Sequence, residues 1–108
     1  MDKKITKTLN EFKSALEAAG IKVDRIILFG SYATGNASKE SDIDVAVISE
    51  DFKGMNLLKR FETIGLALAK ARIMEPIEAI AYTKKEFALK GKGTFAGDEI
   101  KSTGIQVL

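Results

Sequence analysis

Two short apolar runs constrain this chain most: Arg25-Ile26-Ile27-Leu28-Phe29, and Ile43-Asp44-Val45-Ala46-Val47-Ile48. The first is closed by Gly30 and suits a buried strand. The second is β-branched at Ile43, Val45, Val47 and Ile48 and reads as a second strand. The stretch between them, SYATGNASKES at 31–41, is rich in Ser, Gly, Thr and Asn. It reads as a loop with room for one helical turn.

Helices are expected on either side. Ile5, Leu9, Phe12, Leu16 and Ala19 fall on one helical face, and Gly20 is a C-terminal stop. Asn56 is placed to cap a second helix with Leu57, Phe61, Ile64, Leu68 and Ala71 as its buried stripe. The single proline, Pro76, separates that helix from a third strand, Ile77 to Thr83. Beyond it the chain predicts a helical turn from Lys84 to Leu89, a flexible segment over 91–97, a short helix over 98–102 and an edge strand from Ile105 to Leu108. The order α-β-loop-β-α-β-α-β predicts an α/β domain, with helices packed on one mixed sheet of about four strands. At 108 residues the chain is expected to be one domain.

The sequence has no cysteine, histidine or tryptophan. Disulfides, thiolate nucleophiles, Cys-ligated zinc and any imidazole base are therefore excluded. A metal would have to take oxygen ligands, which points to magnesium, manganese or calcium. The net charge is only +2, and the lysines are scattered. Lys3-Lys4, and Lys84-Lys85 with Lys90 and Lys92, read as solvated surface rather than a nucleic-acid track, so no direct nucleic-acid binding is expected. No apolar run approaches the roughly 20 residues that span a bilayer. The first residues lead into an amphipathic pattern, not an apolar signal core, so a cytoplasmic protein without membrane association is expected.

The chemistry is concentrated in Gly30-Ser31, ten residues, and then Asp42-Ile43-Asp44. Carboxylates at i and i+2 of a strand point to one side, near enough to hold one or two divalent ions. Ile43, Val45 and Val47 are expected to pack the core from the opposite face. The competing reading is the polar face of a half-solvated strand. Against it, aspartate is a poor strand former, and two like charges on one face repel unless a cation offsets them. A strand that ends in Gly-Ser can aim backbone N–H groups and a hydroxyl at a phosphate. Together the two elements suggest a phosphate cradle and a metal site on adjacent strand ends.

Residues 30–44, GSYATGNASKESDID, resemble the signature of the minimal nucleotidyltransferase domains of the DNA polymerase β-like superfamily. Tyr32, Gly35 and Ser41 stand where members often carry them, and the resemblance extends over nearly the whole chain, to the Glu-Ile-x-x-x-Gly-Ile stretch at 99–105. It implies a polymerase β-like core, with residues 1–108 as a single minimal nucleotidyltransferase domain. It further implies that Asp42 and Asp44 hold Mg²⁺ (or Mn²⁺) and that Gly30 and Ser31 hold the β- and γ-phosphates of ATP or another nucleoside triphosphate. The family also uses a third carboxylate on a following strand. Glu75 and Glu78 are the candidates, and Glu78 is favoured as ligand and general base because only it lies in a strand-like alternation. Lys39 is a candidate phosphate contact, against the ordinary reading of a solvated loop lysine. Tyr32 is expected to pack beside the loop.

Minimal members of this kind resemble the antitoxin half of toxin–antitoxin pairs, in which AMP is transferred to a tyrosine of a HEPN ribonuclease partner. The resemblance therefore implies an adenylyltransferase whose specificity lies in a HEPN-domain partner. Two alternatives stand beside it. One is a non-catalytic antitoxin that works by contact. The weaker is a small-molecule nucleotidyltransferase, for which no substrate domain is apparent.

Overall fold

The computed structural model describes residues 3–38, 40–90, 100 and 104–108. Helix α1 spans Lys3–Ala18, strand β1 Arg25–Phe29, helix α2 Ser31–Thr34 and strand β2 Ile43–Ile48. A 3₁₀ turn at Glu50–Phe52 leads to α3 (Leu57–Lys70), β3 (Ile77–Tyr82), α4 (Lys84–Lys90) and β4 (Ile105–Gln106). The element order is the expected one. The expected flexible segment over 91–97 and all but Ile100 of the expected helix over 98–102 lie outside the described residues.

The four strands form one mixed sheet in the order β3-β2-β1-β4. Strand β1 runs antiparallel to β2 and β4, and β2 runs parallel to β3. A parallel neighbour needs a crossover connection, and α3 supplies it. Ile43, Val45 and Val47 join Ile26 and Leu28 in the main core, as the alternation predicts. Ile5, Leu9, Phe12 and Leu16 of α1 are buried there too. Ala19 lies past the helix end and is exposed, and Ala15 is buried in the last turn instead. Gly20 closes α1 at φ +91, a conformation that suits glycine, while the Ile21 N–H donates back to the Leu16 carbonyl at 2.9 Å.

The stripe expected on α3 is only partly buried. Asn56 caps the helix as predicted, its side-chain oxygen accepting from the Lys59 N–H at 2.8 Å. Ile64 and Ala67 are the buried residues, whereas Leu57 and Phe61 are 68% and 53% exposed and Ala71 is exposed. The physical reason is Arg60, whose guanidinium turns that side of the helix inward. It donates to the carbonyls of Phe52, Met55 and Ala81 at 3.0, 3.0 and 3.2 Å, and it forks onto both carboxylate oxygens of Glu86 at 2.6 and 2.9 Å. Glu86 in turn accepts from the Thr83 N–H, and Thr83 Oγ1 accepts from the Glu86 N–H. That reciprocal pair is a capping box, and it ends β3 at Tyr82 and starts α4. Thr83 therefore caps a helix instead of ending the third strand.

The second face of the sheet carries its own apolar cluster. Ile27, Phe29, Ala46 and Ile48 are covered by Phe87 of α4 and by Ile100. Among the described residues, no helix is long and apolar enough to cross a membrane.

Candidate active site

The signature residues meet at one end of the second face. Strand β1 runs toward this end and delivers Gly30 and Ser31 just after Phe29, while β2 and β3 begin here. Asp44, the second residue of β2, is opposite Phe29 on one side and pairs with Glu78 on the other. Residues in register on neighbouring parallel strands point to the same face, and strands lie about 4.8 Å apart, so the two carboxylates project side by side. Asp44 is half-buried and Glu78 is exposed. Asp42 stands one residue ahead of β2 and is exposed.

Gly30 holds φ 69 and ψ −151, a backbone conformation open essentially to glycine alone. A Cβ built at this position would collide with Oδ2 of Asp44. The missing side chain therefore does two things. It lets the chain reverse from β1 into α2, and it lets the Asp44 carboxylate lie against the backbone of the Gly-Ser turn. Ser31 is the first residue of α2 and is half-buried. The Gly30 carbonyl accepts from the N–H groups of Ala33 and Thr34, which turns the short helix tightly against the strand end. Tyr32 packs against the main core, in keeping with the expectation that it lies beside the loop. Lys39 lies outside the described residues.

The two candidates for a third carboxylate open onto different cavities. Asp44 and Glu78 share a cleft of about 520 Å3. Glu75 lies in the loop before β3 and lines a separate cavity with Tyr32, Ser38 and Ser41. Only Glu78 is in register with Asp44. The rest of the shared cleft is apolar, walled by Phe61, Gly65 and Leu68 of α3 and by Ile77 and Ala79 of β3. This wall was not foreseen in the sequence, because Phe61 and Leu68 read as core.

Among the described residues, no three acidic side chains are grouped as a ready-made ligand cluster. Mg²⁺ does not require one: it commonly takes one or two carboxylates and completes its octahedron with substrate phosphates and water. Oxygen donors beside a turn that can approach an anion closely are of the type such an ion uses, so the residues present fit it.

A mixed sheet with Gly-Ser closing one strand and an Asp-x-Asp opening the next defines the polymerase β-like nucleotidyltransferase core. The chain belongs to the nucleotidyltransferase domain family, which its residues 5–94 match. A Methanocaldococcus jannaschii protein named "Putative protein adenylyltransferase" is 41% identical over 106 residues, spanning 95% of this chain and 98% of that protein. A crystal structure described as a "putative nucleotidyltransferase" from Sulfolobus solfataricus superposes with a TM-score of 0.66 at 18% identity, covering 95% of this chain and 78% of the other. A toxin–antitoxin structure solved with AMP-PNP superposes with a TM-score of 0.62 at 22% identity, over 92% and 71% of the two chains. The likeness to the two crystal structures is one of fold.

Proposed function

We propose that this chain is a Mg²⁺-dependent adenylyltransferase that moves AMP from ATP to a tyrosine hydroxyl of a HEPN-type ribonuclease, and so acts as its antitoxin. One observation carries the reading: Asp44 and Glu78 are in register on one face, beside the Gly30–Ser31 turn. The 41% identity to a protein named for adenylyl transfer to protein supports the reaction class, and the fold shared with a toxin–antitoxin protein supports the partner.

In this reading Asp42 and Asp44, with Glu78, hold Mg²⁺, and Mn²⁺ could replace it. The bound ion neutralises charge on the triphosphate and on the departing pyrophosphate. Gly30 and Ser31 receive the β- and γ-phosphates through backbone N–H groups and the serine hydroxyl. Lys39, in the loop between the two motifs, is the further candidate for a phosphate contact. Glu78 takes the proton of the acceptor hydroxyl as its oxygen attacks the α-phosphorus. The new O–P bond forms as the bond to the bridging oxygen of the β-phosphate breaks, and pyrophosphate leaves.

The test is transfer of label from α-labelled ATP to the product of the neighbouring gene, with Mg²⁺ present. Label is expected on that partner, and it should vanish with EDTA or in the D42A/D44A double variant. If the double variant neutralises the partner as well as the parent does, neutralisation is by contact and the catalytic reading falls.

A further inference from the structure

We propose that the open edge of β3 is a dimer interface, across which a second copy of this chain pairs its own β3 antiparallel and continues the sheet. The interface stands whether or not the chain transfers AMP.

Strand β3 ends the sheet on one side. The Ile43 N–H donates to the Pro76 carbonyl and the Ser49 N–H to the Tyr82 carbonyl, which fixes the phase of the parallel ladder. The even-numbered residues of β3 therefore face β2, and Ile77, Ala79 and Ala81 turn their N–H and C=O groups away from the sheet. Among the described residues, only the Ala81 carbonyl of this outward set is taken, by Arg60 at 3.2 Å. Natural edge strands are usually short, or blunted by a lysine, a proline or a bulge. Strand β3 keeps six residues in unbroken register with β2, with no lysine and no proline among them.

The flank of α3 beside this edge is apolar. Ile77, Ala79 and Ala81 pack toward the main core under α3, while Glu78, Ile80 and Tyr82 alternate to the second face. The cleft described above is lined from both faces because it wraps around the β3 edge. Leu58, Phe61, Gly65 and Leu68 follow one stripe of α3, and the last three of them line that edge cleft. Leu57, Leu58 and Phe61 are exposed. A two-fold axis normal to the sheet at Ala79 sets the two α3 helices side by side and antiparallel, so that these stripes cover each other. Gly65 gains a reason there. It has no positive φ, and a Cβ built on it meets nothing within 4 Å, so nothing described within one copy requires glycine. Between two copies, the missing side chain lets the helices approach.

Self-complementarity selects a second copy as the occupant. With Ala79 opposite its counterpart, the two residues exchange both ladder bonds, and the Ala81 N–H of each copy donates to the Ile77 carbonyl of the other. The Ala81 carbonyl keeps Arg60. Glu78 then stands opposite Ile80 of the second copy, whereas a slip that set Glu78 opposite Glu78 would oppose like charges. The ends of the strand match as well. Glu75 precedes β3, the exposed Lys84 and Lys85 follow it, and none of the three has an ion-pair partner among the described residues. Antiparallel pairing brings Glu75 of each copy beside Lys84 and Lys85 of the other. Because the axis is normal to the sheet, the second faces, with Asp44 and Glu78, stay uncovered in both copies.

The test is sedimentation equilibrium of the full chain, with amide hydrogen exchange as the residue-level readout. The parent is expected to sediment as a dimer with its Ala79 and Ala81 amides protected. A79P removes an N–H that points away from β2, an orientation in which an edge strand tolerates proline. It should weaken association by about a hundredfold and leave the circular dichroism unchanged. F61K, at an exposed position, should weaken it by a similar factor, about a hundredfold. E75K should weaken it by about tenfold, and adding K84E/K85E should restore it. If A79P loses its circular dichroism, F61K and the charge exchange decide. A parent that stays monomeric at every concentration overturns the proposal, and so does a dimer that A79P and F61K leave intact. Edge amides that become protected only when the product of the neighbouring gene is added would assign the edge to a foreign partner and overturn it too.

Discussion

The carboxylate of Asp44 occupies the space where a side chain on Gly30 would begin. The two residues are fourteen apart in sequence, yet the antiparallel pairing of Phe29 with Asp44 makes them neighbours. A turn and a candidate site residue thus share one volume, and no side chain can be added at 30 without displacing Asp44. G30A should destabilise the fold by about 1–3 kcal/mol, because alanine must adopt a conformation kept for glycine. It should also weaken ATP binding by displacing Asp44. Urea unfolding and calorimetric ATP titration would show both, and an unchanged midpoint with unchanged affinity would refute the coupling.

Glu78 and Glu75 make opposite predictions. E78Q should lower the rate of transfer by about 10²–10⁴-fold, the usual contribution of a positioned base, with a smaller effect on ATP affinity. E75Q should leave transfer within about twofold, because its cavity is a different one. Single-turnover rates on labelled ATP would decide this, and the reverse ranking would move the third carboxylate to Glu75.

Arg60 is the buttress of the α3–β3 side. Its side chain is 11% exposed and that of Glu86 27%, and the pair is two-pronged. R60A removes the guanidinium partner of Glu86 and a donor from three carbonyls, so a loss of about 3 kcal/mol is expected, as for other largely buried pairs. R60K should recover little of it, since a lysine ammonium cannot reproduce the planar fork. Chemical denaturation of R60A, E86A and the double variant would measure the coupling. Additive losses would show that the pair is not a unit.

Burial, and secondarily the negative charge of Glu86, raises the Tyr82 phenol above its ordinary value of 10.0. The folded state therefore holds that proton more tightly than the unfolded chain does. This contribution to stability is complete below pH 10.0 and is lost as pH rises through the raised value. Y82F should flatten the alkaline limb of the stability profile, as read by urea midpoints between about pH 9 and 11. An equally steep limb in Y82F would assign the loss to other groups.

Much of this was legible in the sequence. The β-branched run at 43–48 and the Gly30 stop marked two strands, and alternation put Ile43, Val45 and Val47 in the core. Asn56 announced its helix through a local hydrogen bond. The Thr83-x-x-Glu86 spacing was an equally local signal of a helix start, and could have been read in the same way. The rotation of α3 could not, because hydropathy cannot show that Arg60 reaches Ala81 and Glu86, more than twenty residues away, and turns its helix away from the Leu57–Phe61 side.

The sequence by itself determined the strands, the mixed α/β architecture and the restriction to oxygen chemistry, since periodicity, turn residues and the absence of histidine and cysteine are local properties. Only the tertiary structure decided which carboxylate stands beside Asp44, that a glycine is required at 30 for a reason beyond its turn, and that an apolar cleft opens next to the acids. Each of these depends on strand register and helix rotation. Register is settled by pairing across the sheet, and rotation by contacts between residues far apart in the chain.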